Sequence, residues 1–248
     1  MKSKQGMLTL YKNRGETPLE CLERFKKVNP EYESEKMTYA GRLDPLAEGL
    51  LLVLAGEECK NKDKYLGLNK IYEVDVLFGF STDTYDILGK VLKNKTYSSG
   101  QIPDKNLLKS FVGKFFQKYP AYSSRYFNKA RSGELKDEEI TEKEVEIKDI
   151  KIIGQKAISK NDLEKYIFES ISLVKGDFRQ NEILENWKEE LLKSEMNDFS
   201  IISIKVDCTS GTYMRSLANS IGEKVGIPAL ALNIKRTKVD EFSLLHID

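Results

Sequence analysis

The stretch Gly41-Arg42-Leu43-Asp44-Pro45-Leu46-Ala47-Glu48-Gly49 organises this chain, because it sets one carboxylate between two glycines and directly before a proline. Proline disfavours the helical region for the residue before it, so Asp44 is predicted to lie in an extended or turn conformation. Gly41 and Gly49 allow positive φ or a close backbone approach. The apolar run 50–55 follows at once and is predicted to anchor this segment, the Asp44 loop, in the core.

Short alternating segments on both sides of the Asp44 loop predict strands. They cover residues 7–11, 71–80, 143–153 and 201–208. In the second of these, one face carries the apolar side chains Tyr72, Val74, Val76 and Phe78. A polar connection leads from this strand to residues 89–92, which predicts a long hairpin. Asp83 and Asp86 in that connection could suggest a metal loop, but a turn with side-chain hydrogen bonds is the better interpretation.

Several helices are predicted between and after these strands. The first begins with a capping box at Thr17, Pro18 and Glu20 and is predicted to direct Leu19, Leu22 and Phe25 inward. An amphipathic helix is predicted over 105–117, with an apolar side formed by Leu108, Phe111, Val112, Phe115 and Phe116. Two acidic helices over 161–174 and 176–192 form an insert at about 154–199, which we expect on the side away from any anionic ligand.

A further helix opens at residues 209–217 and is predicted to stop at Gly226. Arg215 falls in its first turn, where a cation opposes the positive end of the helix dipole. Such a residue favours a nearby anion; the alternative is a solvated surface arginine.

The net charge of +1 conceals an uneven distribution. Basic residues predominate in 109–136 and 205–238, whereas acidic residues predominate in 161–200. Basic tracts supply phosphate contacts. In the first tract, aromatic residues alternate with Lys and Arg, a composition suited to stacking bases and holding phosphates. The bland alternative, a core helix with a solvated face, explains 111–116 but not the loop that follows.

Composition argues against several other classes of protein. Cys21, Cys59 and Cys208 lie far apart and His246 is the single histidine, so a zinc site or a histidine-dependent triad is not expected. No apolar run approaches the ~20 residues of a membrane helix, and the first residues lack a signal peptide. We therefore expect a cytoplasmic protein.

Five segments occur in one order and together resemble the TruB family, bacterial tRNA pseudouridine synthases that act on uridine-55 of the T-loop. They are the Asp44 loop, Lys70-Ile71-Tyr72, Thr82-Asp83-Thr84 with Asp86, Ser210-Gly211-Thr212-Tyr213-Met214-Arg215, and Lys235-Arg236-Thr237-Lys238-Val239. The resemblance spans roughly residues 6–153 and 200–243. It implies an α+β fold with a curved, mostly antiparallel central sheet, flanked by helices and RNA-binding loops.

The resemblance also implies a chemistry and its residues. Uridine would be isomerised to its C-glycoside without a cofactor or metal, in a central cleft. Asp44 would be the catalytic aspartate, attacking the sugar or assisting glycosidic cleavage. Tyr72 would stack on the flipped uracil and take part in proton transfer, Arg215 would pair with Asp44, and Tyr213 and Ile234 would line the base pocket.

We expect the partner to be the T-stem-loop of tRNA, bound by a monomer. The RNA-binding side chains are predicted to be Arg125, Lys129, Arg131, Lys235 and Arg236. Tyr39 occupies the position where the family places a histidine that fills the gap left by flipped bases. Its aromatic ring is predicted to stack there, and the alternative is that it packs under the Asp44 loop.

Other features depart from the family pattern. Lys12-Asn13 replaces a Lys-Pro pair. Arg42 makes the motif Gly-Arg-Leu-Asp similar to that of the RluA and RsuA groups, which often modify ribosomal RNA. The chain is interpreted as one catalytic domain over 1–248 with the helical insert and without a PUA-type RNA-binding domain. The alternatives are a synthase of the same chemistry acting on another RNA and a non-catalytic protein that remodels tRNA.

Overall fold

The computed structural model describes residues 6–98, 102–123, 125–132 and 134–246. Within these residues, nine strands form one mixed sheet and two more form a separate hairpin. The strands are β1 (Gly6–Lys12), β2 (Met37–Ala40), β3 (Ala47–Ala55), β4 (Lys70–Phe78), β5 (Phe80–Thr82), β6 (Val91–Asn94), β7 (Gly113–Lys118), β8 (Glu142–Ser159), β9 (Asp198–Cys208), β10 (Ala229–Val239) and β11 (Phe242–Ser243). The helices are α1 (Pro18–Val28), α2 (Lys62–Leu66), α3 (Lys105–Lys109), α4 (Phe127–Ser132), α5 (Lys160–Ser172), α6 (Gln180–Lys193) and α7 (Met214–Val225).

The long sheet has the order β1-β3-β10-β4-β9-β8-β7, with β2 beside β3 and β11 beside β10. Its pairs are antiparallel except β3 with β10, which run parallel. The predicted α+β fold with a mostly antiparallel sheet is confirmed. Strand β10 joins the β1–β2–β3 half to the β4–β9–β8–β7 half, so residues from both halves meet along it.

Apolar side chains cover both faces of the central strands. On β4, the predicted face of Tyr72, Val74, Val76 and Phe78 is buried together with Leu217 and Ile221 of α7. The opposite face packs against the acidic helices α5 and α6, whose Ile167, Ile171 and Trp187 are buried. Strand β4 is therefore held between α7 on one face of the sheet and helices α5 and α6 on the other.

Many of the predicted elements are confirmed. Helix α1 begins with the predicted capping box, in which Glu20 and Thr17 exchange side-chain hydrogen bonds. Helix α7 ends at Gly226, whose φ of 77° lies in the left-handed region. The acidic helices occupy a shorter range than the predicted insert, because β8 and β9 extend to the pair Ser159↔Asp198.

Other predictions were wrong. Residues 105–117 form the short helix α3 and then the edge strand β7, which pairs with β8 from Gly113↔Ile147 to Lys118↔Glu142. Side chains alternate along β7, since Gln117 is buried while Phe116 is 66% exposed. Backbone hydrogen bonds offered by β8 override the helical pattern of the apolar residues.

Two smaller expectations are also corrected. Strand β4 pairs with β9 and β10, so the predicted hairpin is only the short β5–β6 pair that follows it. Leu19 of α1 is 58% exposed, and Cys21 takes the buried position beside Leu22.

Candidate active site

The Asp44 loop connects β2 to β3 and is shaped by its two glycines. Gly41 has φ +82° and Gly49 has φ +108°, as the sequence predicted. A side chain on Gly49 would clash with β10, because its Cβ would lie 2.3 Å from the Arg236 carbonyl oxygen. The amide of Ala47 donates to the carbonyl of Asp44 at 3.0 Å and closes the turn. The backbone that carries the Asp44 carboxylate is thus fixed just before the start of β3.

A buried lysine supports this loop from below. The Lys12 ammonium donates to the carbonyls of Asn13 and Pro45, both at 3.1 Å, and to that of Ala47. Its side chain is fully buried, and this burial lowers the pKa of Lys12 to about 8. A cation held among loop carbonyls leaves a positive group behind Asp44.

Arg215 forms a bidentate pair with Asp44. Its Nε lies 2.8 Å from Asp44 Oδ2 and its Nη2 lies 3.2 Å from Oδ1, while Nη1 donates to the Thr84 carbonyl at 2.9 Å. Arg215 is only 3% exposed, whereas the Asp44 side chain is 32% exposed. Asp44 thus supplies the anion that a cation in the first turn of α7 favours. The arginine is committed to the protein, and the carboxylate still faces the cleft.

A second carboxylate lies behind the pair. Asp86 Oδ2 is 3.8 Å from Arg215 Nε, and Asp86 Oδ1 accepts hydrogen bonds from the Thr84 hydroxyl and the Leu88 amide. Burial raises the pKa of the Asp86 carboxyl, against the opposing effect of Arg215. The predicted side-chain hydrogen bonds of this turn are confirmed for Asp86. Its position beside Arg215 was not anticipated.

Aromatic and apolar side chains form a small cavity of about 260 Å³ beside Asp44. Tyr72, Tyr213 and Ile234 all line it. Tyr213 is fixed by Gln117 of β7, whose amide group donates to and accepts from the Tyr213 backbone at 3.1 and 2.8 Å. Burial and the nearby Asp44 raise the pKa of Tyr213 to about 12. A cavity that carries two tyrosine rings next to an ion-paired carboxylate suits an aromatic base.

A larger cavity of about 490 Å³ opens on the other side of Asp44 and Arg215. Arg42, Arg125 and Lys129 line it, so this cavity carries cationic side chains as well as Asp44. The Arg125 guanidinium lies 5.2 Å from the centre of the Tyr119 ring and 5.7 Å from that of Tyr126. Cationic and aromatic groups thus share this cleft.

Comparison with known proteins identifies the family. Residues 29–169 match the family model described as TruB family pseudouridylate synthase (N terminal domain). This chain belongs to the TruB family. It is 30% identical over 240 residues to the tRNA pseudouridine synthase B of Borreliella afzelii (strain PKo), covering 96% of this chain and 71% of that protein. It is 31% identical over 241 residues to the protein of the same name from Aquifex aeolicus (strain VF5), covering 96% of this chain and 70% of that protein.

Solved structures show the same fold. A chain of a Cbf5-Nop10-Gar1 complex superposes with a TM-score of 0.58 at 19% identity, over 96% of this chain and 50% of that one. A chain of an H/ACA RNP bound to a substrate RNA containing 2'-deoxyuridine gives 0.55 at 18%, over 96% and 48%. This TruB-family chain therefore spans about half the length of those solved chains.

The structure distributes the expected RNA-binding residues unevenly. In this TruB-family chain Arg125 and Lys129 are exposed at the larger cavity, and Lys235 lies 5.9 Å from the centre of the Tyr11 ring. Arg236 is fully buried and donates to the carbonyls of Leu50 and Gly41 at 2.7 and 3.0 Å. Arg236 nevertheless lines the small cavity beside Asp44, and its predicted role in RNA binding stays a prediction. The side chain of Arg131 lies outside the described part of the structure.

Tyr39 also departs from the expectation. It lies on β2 opposite Val53, and its ring packs against the cluster of Leu10, Cys21 and Leu22. It lines neither of the two cavities described above. The packing alternative, rather than stacking on a base, is the role that this geometry supports.

Sequence reasoning missed Lys12, Gln117 and Arg179 as contributors to the site. Lys12 was noted only for the residue that follows it, and Gln117 was placed in a helix. The acidic composition of the insert gave no signal that Arg179 at its tip lines the larger cavity. The expectation that the insert lies on the side away from the ligand fails only at its tip, since helices α5 and α6 pack on the face of the sheet opposite α7.

Two further properties bear on the candidate site. None of the helices in the described residues is long and apolar enough to cross a membrane. Over the same residues, no group of three or more His, Cys, Asp or Glu side chains is arranged to hold a metal ion.

Proposed function

We propose that this chain isomerises uridine to pseudouridine in RNA, and that its substrate is uridine-55 in the T-loop of tRNA. The observation that carries the proposal is the bidentate pair of Asp44 and Arg215 beside the small aromatic cavity, in a chain of the TruB family. The relatives named tRNA pseudouridine synthase B support the choice of tRNA.

The reaction exchanges one glycosidic bond for another. The N1–C1′ bond of uridine breaks, the base turns, and a C5–C1′ bond forms, while a proton leaves C5 and N1 gains one. Atoms and electrons balance within the substrate. The protein has to hold the base and the sugar in place and supply groups that react with the sugar and move the proton.

Asp44 is the residue that we assign to the sugar. It either attacks C1′ or assists cleavage of the glycosidic bond, and both routes need an ionised carboxylate. The Arg215 guanidinium donates to both Asp44 oxygens, at 2.8 and 3.2 Å, and so holds the carboxylate in place. Because Arg215 is buried and also held by the Thr84 carbonyl, it orients the carboxylate without moving toward solvent.

Tyr72, Tyr213 and Ile234 are assigned to the base. A uridine within a folded loop must leave its stack, which costs a few kcal/mol that stacking and polar contacts in the cavity offset. Tyr72 is 8% exposed and faces the same cavity as Asp44, as stacking on a flipped uracil requires. Its hydroxyl is the group that we assign to the proton transfer.

The cationic residues around the larger cavity are assigned to the RNA backbone. Arg42, Arg125 and Lys129 line the same cavity as Asp44, so they are available to contact the phosphates on either side of a flipped nucleotide. Aromatic side chains next to these cations add stacking surface, as in other proteins that bind unpaired nucleotides.

The test combines a substrate map with one variant. Pseudouridine is mapped in RNA from cells with and without this protein, and its loss at position 55 of tRNA is expected. Loss in ribosomal RNA alone would favour the alternative substrate, and no loss would favour a non-catalytic protein. With purified protein, Asp44→Asn should lower turnover by about three orders of magnitude or more while keeping RNA affinity, because the amide is nearly isosteric but cannot act as nucleophile or base. Substantial turnover by this variant would remove Asp44 from the mechanism.

A further inference from the structure

The tip of the helical insert reaches the candidate active site. Residues 173–179 connect α5 to α6, and Asp177, Phe178 and Arg179 line the same cavity as Asp44 and Arg215. The insert is acidic along its helices, yet its tip brings the cation of Arg179 to this cavity.

The conformation of this tip is specific. Arg179 has φ +63°, a left-handed conformation that residues other than glycine seldom adopt. Gln180 closes the tip, since its side chain donates to the carbonyls of Val174 and Gly176 and accepts from the Phe178 amide. A strained residue of this kind persists where surrounding contacts hold it, and such positions cluster at functional sites.

Arg179 joins the insert to two other parts of the cleft. Its Nη1 lies 2.9 Å from Asp83 Oδ2, with both side chains about one-fifth exposed. The same guanidinium lies 4.2 Å from the centre of the Tyr122 ring. Asp83 begins the turn that carries Thr84 and Asp86, the partners of Arg215. Tyr122 belongs to the aromatic and basic segment 119–132 that also holds Arg125 and Lys129.

Helix α6 holds the other end of that turn. The Trp187 indole donates to the Ile87 carbonyl at 3.1 Å, and the Asn186 side chain accepts from the Val91 amide. The turn between β5 and β6 is therefore fixed by the insert at both ends. Arg179 contacts both this turn, through Asp83, and segment 119–132, through Tyr122.

We propose that Arg179 is a positioning residue for the RNA cleft. It holds segment 119–132 against the turn of Asp83 and Asp86, so that the insert sets the spacing between the cations of that segment and the Asp44 carboxylate. The inference rests on the proposed function, since the ligand whose fit it governs is the RNA backbone flanking the target uridine.

The test compares Arg179→Met with wild type in RNA affinity and in steady-state kinetics, using a T-stem-loop RNA. Met keeps the length of the side chain and the backbone conformation but removes the ion pair and the guanidinium stack. The Kd and KM are expected to rise about two- to tenfold, the lower part of the range for loss of one coupled contact, with kcat within twofold. A residue that only stabilised the fold would lower the melting temperature and leave Kd and KM unchanged.

Two further variants make the result specific. Lys188→Met removes an exposed cation from helix α6, outside the larger cavity, and should leave Kd and KM unchanged. Asp83→Asn keeps the acceptor for the Lys90 amide but removes the charge that Arg179 meets. If Arg179 acts through Asp83, the double variant should bind RNA no more weakly than whichever of Arg179→Met and Asp83→Asn binds RNA more weakly.

The outcomes separate this inference from the proposed function. Unchanged Kd and KM in Arg179→Met, or an equal change in Lys188→Met, would overturn the positioning role. Wild-type protein that binds the RNA in an Arg179-dependent manner but forms no pseudouridine would overturn the function and leave the positioning role standing.

Discussion

At the scale of single residues, Arg215 is the group on which the candidate site depends most. Its guanidinium spends two donors on Asp44 and one on the Thr84 carbonyl, and it lies 3.8 Å from the second carboxylate of Asp86. Burying a charge is unfavourable unless hydrogen bonds and opposite charges compensate it. Removing the guanidinium would leave two carboxylates facing each other across an empty volume.

Arg215→Met should therefore lower turnover by about a hundredfold or more, because the Asp44 carboxylate loses the bidentate partner that orients it. Single-turnover measurements with saturating RNA report this step directly. Arg215→Lys serves as the comparison, since it keeps a charge but loses the bidentate geometry, and it should fall between the two. Turnover of Arg215→Met within a few-fold of wild type would show that the pair is structural.

Lys12 gives a prediction about pH. Its pKa is lowered from 10.5 to about 8 by burial, so between pH 8 and 10.5 the unfolded chain binds a proton that the folded chain does not. Stability rises with pH wherever the unfolded state binds more protons. The unfolding free energy of wild type minus that of Lys12→Met should therefore increase across this window, by at most about 1.4 kcal/mol per pH unit.

Urea titrations of both proteins, at several pH values from neutral to alkaline, measure this difference. Groups that do not interact with Lys12 titrate equally in both proteins and cancel in the subtraction. Lys70 is also buried and also has a pKa lowered to about 8, so Lys70→Met should behave alike if burial is the cause. A difference that stays flat with pH would mean that Lys12 keeps its ordinary pKa.

The sequence predicted some of these residues and not others for a physical reason. Asp44 and Arg215 were recognisable because the segments that carry them resemble those of the TruB family. The local pattern added only the turn conformation of Asp44 and the unfavourable dipole at Arg215, which favours a nearby anion. Lys12 reaches carbonyl groups 33 and 35 residues away, and nothing near it in the chain announces those partners.

At the scale of elements, the sequence likewise predicts features that have local causes and misses features that have tertiary causes. The capping box of α1 and the glycine stop of α7 are local signals, and both ends lie where the sequence placed them. The wrong helix over 105–117 contains apolar spacing that suits a helix. Its second half becomes β7 because β8 lies beside it, and that neighbour begins more than twenty residues later.

Strand β2 supplies a prediction of this scale. Since Tyr39 packs against Leu10, Cys21 and Leu22, Tyr39→Ala should destabilise the fold by about 1–3 kcal/mol and leave RNA affinity within twofold. Tyr39→Phe is the control, and it should retain most of the stability because the ring remains. Chemical denaturation and titration with a T-stem-loop measure the two effects separately. Weaker binding in a variant of normal stability would restore the stacking role.

At the scale of the whole molecule, the net charge of +1 gives no indication of an RNA partner, whereas the arrangement of charge does. Cations from the Asp44 loop and from segment 119–132 meet at one cavity. The acidic helices lie behind the sheet on its other face and present only their tip to the cleft. The predicted single catalytic domain with an insert stays a prediction, although the insert and the sheet share one core.

An isolated T-stem-loop is expected to bind nearly as well as whole tRNA, with affinity that falls as salt rises. Arg125→Ala should weaken binding and reduce the slope of log K against log salt by about one unit, the value for one phosphate contact. Lys188→Ala, on the outer surface of α6, should leave the slope unchanged. Titrations over a salt series measure both slopes. A large preference for whole tRNA would mean that another surface reaches beyond the T-arm.

The placement of β10 in the sheet has a consequence for biosynthesis. Asp44 precedes β3, whereas Tyr72 and Arg215 belong to the half of the sheet built on β4 and β9, and β10 is the strand that pairs with both β3 and β4. While the ribosome is still translating the chain, each half can gather its own contacts, but the ribosome must release residues 229–239 before the halves join. Catalytic competence therefore waits for β10, because a nascent chain stalled before residue 229 contains both Asp44 and Arg215 but lacks the strand that pairs with both halves of the sheet.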